Sequence, residues 1–377
     1  MTAPLTPLAA ALPATVPFVG PEQQERDRGS PFRARIGANE SPFGPSPRAI
    51  AAIREAAAES WQYADPTCHD LKTALADRLG LAPDCLVIGE GIDGLLGLTV
   101  RLFAGPGDVV VTSAGAYPTF NYHVAGFGAR LVTAPYRDDA EDPEALAAAA
   151  MEECARLVYL SNPDNPMGSW LTADRLAALL DALPPGCLLC LDEAYGEFAP
   201  TDAILPLDPT DRRLIRFRTF SKAYGLAGLR IGYAIAPPEV AAAYDRVRNH
   251  FGVNRLAQAA GIAALADQPH LAQVLADTAA ARREIERIAR TNGLTPLPSA
   301  TNFVAVDCGA DGARARAVLQ GLLARDVFVR MPGIAPLDRC IRIGAGTPAN
   351  LRLLAEALPG ALAATQAETA IDTPHAT

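Results

Sequence analysis

Residues Arg218–Arg230 read RTFSKAYGLAGLR and lie between an apolar segment that begins at Leu214 and the apolar run Ile231–Ala236. This order predicts a strand, a Ser-Lys turn, a Gly-rich connection and a second strand. It offers one amine, Lys222, and one guanidinium, Arg230, to the same ligand. A lysine that carries chemistry needs a partly desolvated site, which lowers its pKa, and a carbonyl group to attack. The stretch therefore predicts a ligand site built around Lys222.

The composition bounds the class of protein. The chain has 377 residues and a net charge of −9, with half of its residues apolar and a fifth charged, as in a soluble protein of more than one domain. The negative charge argues against nucleic acid or an anionic membrane as the main partner. No apolar run reaches the roughly 18 residues that span a bilayer, and the proline-broken N-terminus lacks the basic region of a signal peptide. Seven scattered cysteines indicate reduced thiols, so we expect a cytoplasmic protein.

Cys187 and Cys190 match a C-x-x-C pattern. They lie inside an apolar run, which favours buried strand thiols over a redox pair or a zinc site. No metal site is predicted anywhere in the chain.

Short apolar runs alternate with helical patterns in the first two thirds of the chain. The runs are Leu86–Ile88, Val109–Val111, Leu157–Leu160 and Cys187–Leu191. Brief apolar strands separated by helices predict an α/β fold with a mostly parallel mixed sheet between helices. Ligands of such sheets bind outside the carboxyl ends of the strands. The candidate motifs follow these runs, so we expect them at one edge of the sheet.

Four regions are expected along the chain. Residues 1–45 are predicted to form an N-terminal arm that packs with the small domain or with a partner subunit. Residues 46–265 are predicted to form a large ligand-binding domain. Residues 266–364 alternate strands with helices and predict a smaller α+β domain, followed by a disordered tail at residues 365–377.

The turn Gly91–Gly94 lies between a predicted strand and a predicted helix. Free backbone N–H groups at a helix N-terminus make an anion site, although such a turn can also be only a tight connection. Thr219, Ser221 and Arg230 add hydroxyl and guanidinium donors. Together these residues predict a phosphate site.

Asp192 ends an apolar run, so its partly buried carboxylate needs a cation or a hydrogen-bond donor. It either caps the following segment or keeps a pyridine nitrogen protonated, which makes the ring an electron sink. Tyr195 is placed to reach the phenolic oxygen of that ring, and prolines fix the direction of Asn165, unless that loop is only a structural turn. Tyr117 either stacks on the flat ring or belongs to the core. A phosphorylated pyridine aldehyde held covalently by Lys222 is pyridoxal 5′-phosphate (PLP).

In its motifs the sequence resembles the fold-type I aminotransferases, and within them the histidinol-phosphate aminotransferase group. The segments that carry this resemblance are Asn39–Pro42, Tyr63–Pro66, Asn162–Gly168, Asp192–Tyr195, Ser221–Arg230, Val329–Arg330 and Ile341–Arg342. They follow the family order from about residue 35 to residue 350. The combination of the Asn-Pro, Asp-Glu-Ala-Tyr and Ser-Lys segments is highly specific.

The resemblance implies a role for each cofactor residue. Lys222 binds PLP covalently and moves a proton between the substrate α-carbon and the cofactor. Asp192 pairs with the pyridine nitrogen, Asn165 and Tyr195 hold the ring phenolate, and Tyr117 stacks on the ring. The phosphate is bound by Gly91, Ile92, Asp93, Thr219, Ser221 and Arg230.

The resemblance also implies a homodimer with shared sites, because Tyr63 in such enzymes reaches the phosphate bound by the neighbouring subunit. Arg342 matches the arginine that grips the substrate carboxylate, and Arg330 the one that helps to bind the phosphate of histidinol phosphate. Asn39 and Phe43 complete the predicted substrate contacts. The expected small-molecule partners are an amino donor and a 2-oxo acid, with 2-oxoglutarate and glutamate as the exchanging pair.

Several positions depart from the family pattern and leave the substrate open. Met167 stands where the loop usually has threonine, Phe43 where tyrosine is common, and Met331 where proline is common. Ile92–Gly94 replaces a frequent Ser-Asp-Glu, and Asn249–Asn254 is unexpected at its place. Histidinol phosphate is the best single choice, with an aromatic or other amino acid as the alternative.

Two other classes of protein remain as alternatives. A PLP decarboxylase resembling threonine-phosphate decarboxylase would keep Lys222, Asp192 and Arg230 but orient a carboxylate for loss. Release of CO₂ without a 2-oxo acid would identify it. A non-enzymatic regulator on the same fold would have no need of the proton-transfer lysine.

Overall fold

The computed structural model describes residues 4–13 and 19–371. Its helices are α1 (Pro7–Ala10), α2 (Pro21–Arg28), α3 (Pro47–Ala57), α4 (His69–Leu79), α5 (Gly91–Phe103), α6 (Pro118–Gly126), α7 (Pro143–Glu152), α8 (Ala173–Ala182), α9 (Pro238–Ala243), α10 (Arg255–Ala266), α11 (Gln268–Thr291), α12 (Gly312–Leu323) and α13 (Pro348–Ile371). Its strands are β1 (Ala34–Arg35), β2 (Leu86–Gly89), β3 (Val109–Ser113), β4 (Arg130–Ala134), β5 (Leu157–Ser161), β6 (Leu188–Asp192), β7 (Leu214–Thr219), β8 (Gly232–Ile235), β9 (Thr295–Pro296), β10 (Phe303–Asp307), β11 (Val327–Phe328) and β12 (Cys340–Gly344).

The central sheet has seven strands in the order β2-β8-β7-β6-β5-β3-β4. Strand β8 runs antiparallel to both of its neighbours, and the remaining strands pair in parallel. A mostly parallel mixed sheet with helices on both faces confirms the predicted fold class.

Successive residues of the central strands point to opposite faces of the sheet, as the pleat requires. Val111 and Leu160 pack with residues of α7 and α8 on one face. Tyr159 and Phe217 pack with residues of α5 and α6 on the other. Because both faces are covered, the strands are continuous apolar runs, which is why the sequence reveals them.

The C-terminal part of the chain builds a second core around a three-stranded antiparallel sheet of order β12-β10-β9. Strand β1 also belongs there, because it pairs in parallel with β11 and places Ala34 opposite Val327. Arg28 Nη2 donates to Asp326 Oδ1 at 2.5 Å and fixes α2 to the same region. Helix α2 and strand β1 therefore pack on the small domain of their own chain. The bounds of the four regions given above stay predictions.

Both ends of the chain qualify the predicted regions. Residues 1–3 and 14–18 of the predicted arm and residues 372–377 of the predicted tail lie outside the described residues. Residues 365–371 continue the backbone of α13, and the disorder predicted for the tail stays a prediction. Among the helices of the described ranges, none has the length and apolar character needed to cross a membrane.

Candidate active site

A cavity of about 680 Å³ opens at the carboxyl edge of the central sheet. One side, here called the strand wall, consists of residues that follow strands of that sheet: Ile92, Asp93, Tyr117, Asn165, Asp192, Tyr195, Thr219, Ser221, Lys222 and Arg230. The opposite side, here called the arginine wall, belongs to the small domain and consists of Arg330, Met331, Pro332, Gly333, Ile334 and Arg342. Asn39 also lines the cavity. The structure thus brings together most of the residues that the sequence predicts for one site.

Lys222 follows the end of β7 and is half-buried. Its Nζ donates to the backbone oxygen of Asn39 at 3.1 Å and lies 5.7 Å from the centre of the Tyr195 ring. Burial, followed by the nearby charge of Arg342, lowers the pKa of Lys222 to about 8. An amine with this pKa is neutral often enough near neutral pH to attack a carbonyl group.

Asp192 is the last residue of β6 and is buried. Its carboxylate accepts from the Tyr159 hydroxyl at 2.8 Å and from the Ala194 N–H at 2.9 Å. Burial raises the pKa of Asp192 to about 6, against the effect of these two donors. Both donors are neutral, so the carboxylate still has room for a cationic partner. A protonated pyridine nitrogen in the cavity would provide that partner.

Asn165 and Tyr195 connect the two sides of the cavity. Arg342 Nη1 donates to Asn165 Oδ1, and the Tyr195 hydroxyl accepts from Asn39 Nδ2 at 2.9 Å. The edge of the Tyr195 ring meets Phe303 of the small domain, with ring centres 5.5 Å apart. The amide and the phenol that are predicted to hold a ring oxygen therefore also contact residues of the small domain.

The predicted phosphate site lies where α5 begins. Gly91 has a φ of +79°, and a Cβ atom there would lie 2.6 Å from Arg230 Nη2, so only glycine allows this approach. Arg230 itself adopts a left-handed conformation that turns it toward the N-terminus of α5. Thr219 Oγ1 accepts from the Ser221 N–H at 3.0 Å, which holds both hydroxyl residues in one turn. Backbone N–H groups, hydroxyls and a guanidinium at one helix N-terminus suit a phosphate.

Tyr117 immediately precedes α6 and is half-buried in the cavity lining. Burial raises the pKa of its hydroxyl, which keeps the phenol neutral. The predicted stacking of this ring on a ligand stays a prediction.

Arg330 and Arg342 are joined by a short antiparallel backbone bridge. The Arg330 N–H donates to the Arg342 oxygen at 3.2 Å, and the Arg342 N–H donates to the Arg330 oxygen at 2.6 Å. Burial and the charge of Arg330 lower the pKa of Arg342 to about 10, and burial lowers the pKa of Arg330. Arg330 Nη2 also donates to the backbone oxygen of Val19 at 2.8 Å. Two desolvated guanidiniums held side by side make the arginine wall a site for anions.

Three predicted contacts have different surroundings. Tyr63 is 79% exposed, packs on Phe251 with ring centres 4.7 Å apart, and does not line this chain's cavity. Phe43 packs against the hydrophobic core of the small domain instead of lining the cavity. Asn39 is buried, and its backbone oxygen accepts from Asn302 Nδ2 at 3.0 Å as well as from Lys222. The partner contact of Tyr63 and the substrate contacts of Phe43 and Asn39 stay predictions.

Sequence reasoning missed two residues that support the site. Tyr159 bonds Asp192 from the neighbouring strand, and Asn302 fixes the backbone beside Lys222. A signal for Tyr159 existed, since a tyrosine in an otherwise apolar strand needs a partner for its hydroxyl. Asn302 gave no comparable signal, because its partner is 263 residues away in the chain.

Cys187 and Cys190 are free and buried; Cys190 lies in β6, and Cys187 immediately precedes that strand. Within residues 4–13 and 19–371, no group of three or more histidine, cysteine, aspartate or glutamate side chains is arranged to hold a metal ion.

Comparisons with known proteins identify the family. Residues 35–358 match the family model described as aminotransferase class I and II. The chain is 40% identical over 330 residues to histidinol-phosphate aminotransferase 1 of Mesorhizobium japonicum, covering 86% of this chain and 89% of that protein. It is 39% identical over 345 residues to histidinol-phosphate aminotransferase of Rhodospirillum centenum, covering 91% and 94%.

Solved structures agree with these sequence matches. Histidinol-phosphate aminotransferase from Sinorhizobium meliloti, in complex with pyridoxal 5′-phosphate, superimposes with a TM-score of 0.93 at 56% identity and covers 96% of this chain and 98% of its own. L-threonine-O-3-phosphate decarboxylase from Porphyromonas gingivalis shares the fold, with a TM-score of 0.74 at 21% identity, covering 90% of this chain and all (100%) of its own. The chain belongs to the aminotransferase class I and II family.

Proposed function

We propose that this aminotransferase exchanges an amino group between histidinol phosphate and 2-oxoglutarate, with PLP as its cofactor. The names of the relatives support this substrate, and so does the S. meliloti structure that contains PLP. The observation that carries the proposal is the pair of desolvated arginines opposite the strand wall.

PLP fits the residues of the strand wall. The groups that would hold it are Asp192 at the pyridine nitrogen, Asn165 and Tyr195 at the ring oxygen, Tyr117 at the ring face, and Gly91, Ile92, Asp93, Thr219, Ser221 and Arg230 at the phosphate. When bound, the cofactor supplies an electron sink that stabilises negative charge at the substrate α-carbon. The Tyr159 and Ala194 donors to Asp192 are neutral, so its carboxylate can still pair with a pyridinium cation. The strand wall therefore fits PLP.

Lys222 is the residue that moves the proton. Its lowered pKa of about 8 means that Nζ loses its own proton just above neutral pH and then serves as a base. Its contact with the Asn39 oxygen directs the amine into the cavity beside Tyr195. Nζ is therefore placed to take the proton from the α-carbon of the donor and to return it on the cofactor side.

The arginine wall selects the substrates. Histidinol phosphate carries a phosphate group, and 2-oxoglutarate carries two carboxylates, so each can use both Arg330 and Arg342. An amino acid with an uncharged side chain brings one carboxylate, so it would make no charge-assisted contact with the half-buried guanidinium of Arg330. The wall therefore favours substrates with two negative charges.

A donor panel tests this proposal. Histidinol phosphate, histidine, phenylalanine, tyrosine and aspartate are each given to the PLP-loaded enzyme, and the loss of cofactor absorbance is followed in single turnover. We expect kcat/KM for histidinol phosphate to exceed that of the other donors by roughly tenfold or more. Equal efficiency with phenylalanine would instead support an aromatic aminotransferase. Release of CO₂ without a 2-oxo acid would support a decarboxylase.

We further propose a homodimer in which Tyr63 completes the partner's site. Trp61 and Tyr63 are 81% and 79% exposed, and Phe251 beside them is 50% exposed, which is unusual for aromatic side chains so close together. Mixing Tyr63→Ala chains with Lys222→Ala chains should restore activity, because the hybrid has one site with both residues intact. Hybrids no more active than the parents would contradict a shared site.

A cytoplasmic location is part of the same proposal. All seven cysteines are free thiols in the structure, as expected in a reducing compartment. Fractionation of the producing cells with a thiol-labelling step would check it.

A further inference from the structure

Two carboxyl groups lie buried behind the loop that carries Asn165. Glu141, just before α7, and Asp164, in the loop after β5, are 3% and 2% exposed. Glu141 Oε2 accepts from the Ser113 hydroxyl at 2.6 Å, and Oε1 accepts from the Ser161 N–H at 2.9 Å. Ser113 and Ser161 are the last residues of β3 and β5, so Glu141 is fixed to the carboxyl ends of two neighbouring strands.

Asp164 is held in a matching way. Its Oδ1 accepts from the Tyr136 hydroxyl at 2.9 Å, and its Oδ2 accepts from the Met167 N–H at 3.0 Å. The side chains of Asp164 and Glu141 lie close enough to interact directly. The donors to the two groups are neutral hydroxyls and backbone N–H groups.

A hydrogen bond between two carboxyl groups requires a proton on one of them, because an ionised carboxylate only accepts. Burial, and then the charge of Asp164, holds the pKa of Glu141 well above its usual range, and burial raises the pKa of Asp164 to about 7. Two like charges in one dry site cannot both form at low cost. The two groups therefore titrate as one unit.

This unit is close enough to the active site to affect it. Asp164 precedes Asn165, whose Oδ1 accepts from Arg342 Nη1, and the charges of Asp164 and Arg342 act on each other. Neither Glu141 nor Asp164 lines the cavity, so substrate does not touch them. Their influence passes through Asn165 and Arg342.

We propose that Glu141 and Asp164 share one proton and act as a positioning pair that orients the Asn165 loop and sets the charge balance at Arg342. The part that concerns substrate binding at Arg342 rests on the proposed function. While the proton is shared, the pair carries one negative charge behind the arginine. Loss of that proton adds a second negative charge, which competes with a substrate carboxylate for Arg342.

The groups around the pair allow its titration to be measured. The titratable and charged groups that face the pair are Tyr136, Tyr159 and Arg342, with Asp192 beyond Tyr159. Burial holds the pKa values of Tyr136 and Tyr159 well above their usual range, so both stay neutral between pH 6 and pH 9. Substitution of Asp164 distinguishes its titration from that of Asp192.

Infrared spectroscopy of the holoenzyme tests the shared proton directly. The wild type should show the C=O stretch of a protonated carboxyl at pH 7, and the band should weaken as the pH rises to 9. Asp164→Asn and Glu141→Gln should each remove the band, because the remaining carboxylate then accepts from an amide and ionises. Glu55→Gln, a substitution of an exposed glutamate of α3, should leave it unchanged. A band that survives in either single variant would overturn the proposal, and so would a wild-type band that does not respond to pH.

The pH profile of KM for 2-oxoglutarate tests the link to Arg342. In the wild type KM should rise by about three- to tenfold from pH 6 to pH 9 as the pair becomes doubly charged. Both variants should match the wild type at pH 6 and show a smaller rise, because the titration of Lys222 near pH 8 is common to all three proteins. A loss of affinity at every pH would indicate a merely structural role, and an unchanged rise in both variants would exclude any coupling. The infrared result does not depend on the identity of the amino donor. If histidinol phosphate proved not to be the substrate, the test of the shared proton would be unaffected.

Discussion

The strand wall and the arginine wall face each other across one cavity but are supported in different ways. On the strand wall, Asp192 is the end of a central strand, and its carboxylate is fixed from the next strand by Tyr159. On the arginine wall, one backbone bridge joins Arg330 and Arg342 at the edge of a small sheet, and both residues have long side chains.

From this difference we infer that the strand wall serves the proton transfer and the arginine wall the choice of substrate. Groups at the ends of paired strands are held to a fraction of an ångström, which proton transfer requires. Long guanidinium side chains adapt to anions of different shape, so they suit an enzyme that binds two dissimilar substrates in turn. We therefore expect substitutions on the strand wall to affect every substrate and substitutions on the arginine wall to affect only some.

The largest effect is expected for Lys222→Ala. Removal of the amine that we propose to bind the cofactor and to move the proton should lower kcat by roughly 10⁴-fold with every donor. The characteristic cofactor absorbance should disappear, while circular dichroism should show an intact fold. Full activity of this variant would remove the mechanism.

An intermediate and selective effect is expected for Arg330→Ala. Loss of one charge-assisted contact should reduce kcat/KM for histidinol phosphate by roughly 30- to 100-fold, equivalent to about 2–3 kcal/mol. The efficiency with phenylalanine should fall much less, because that donor has no phosphate for Arg330 and its carboxylate is expected at Arg342. Arg352→Ala, on an exposed position of α13, is the matched control and should change neither. An equal loss on both donors would mean that Arg330 does not read the phosphate.

The smallest effect is expected for Tyr159→Phe, which tests the support of the strand wall. Tyr159 lowers the pKa of Asp192 by donating to its carboxylate, so its removal should raise that pKa above about 6. If the ionised carboxylate binds the pyridinium, as we propose, PLP affinity should fall by about tenfold at neutral pH, or about 1.4 kcal/mol. As the pH is lowered, the affinity should begin to fall at a higher pH than in the wild type.

Tyr244→Phe is the control for that variant, since Tyr244 is a buried tyrosine whose hydroxyl bonds Thr99. It should lower the thermal stability without changing the pH dependence of PLP affinity. The same acid shift in both variants would show that the effect is not specific to Asp192.

The strand wall could be predicted from sequence because its signals are local. Asp192 and Lys222 each end or follow an apolar run, and parallel strands bring such ends to one edge. Their supports Tyr159 and Asn302 depend on which strands become neighbours, and no short stretch of sequence encodes that.

The arginine wall and the pair of Glu141 and Asp164 were harder to predict, because they too depend on which strands become neighbours. Arg330 and Arg342 were recognised only through the resemblance, since their bridge depends on tertiary pairing. Glu141 looks like a polar residue before a helix, and its burial against Asp164 is invisible until β3 and β5 pair. Phe43 illustrates the opposite case, in which an aromatic residue near the site packs into a core.

The pairing of β1 with β11 has a consequence for biosynthesis. Arg28 and Asp326 contact each other although they are 298 residues apart in the chain. At the usual rate of translation, the first residue waits on the order of 15–60 s before its partner is made. The central sheet can assemble during this interval, because its strands end at Ile235. We therefore expect a nascent chain to bring Lys222 and Asp192 together before Arg330 and Arg342 of the arginine wall are in place.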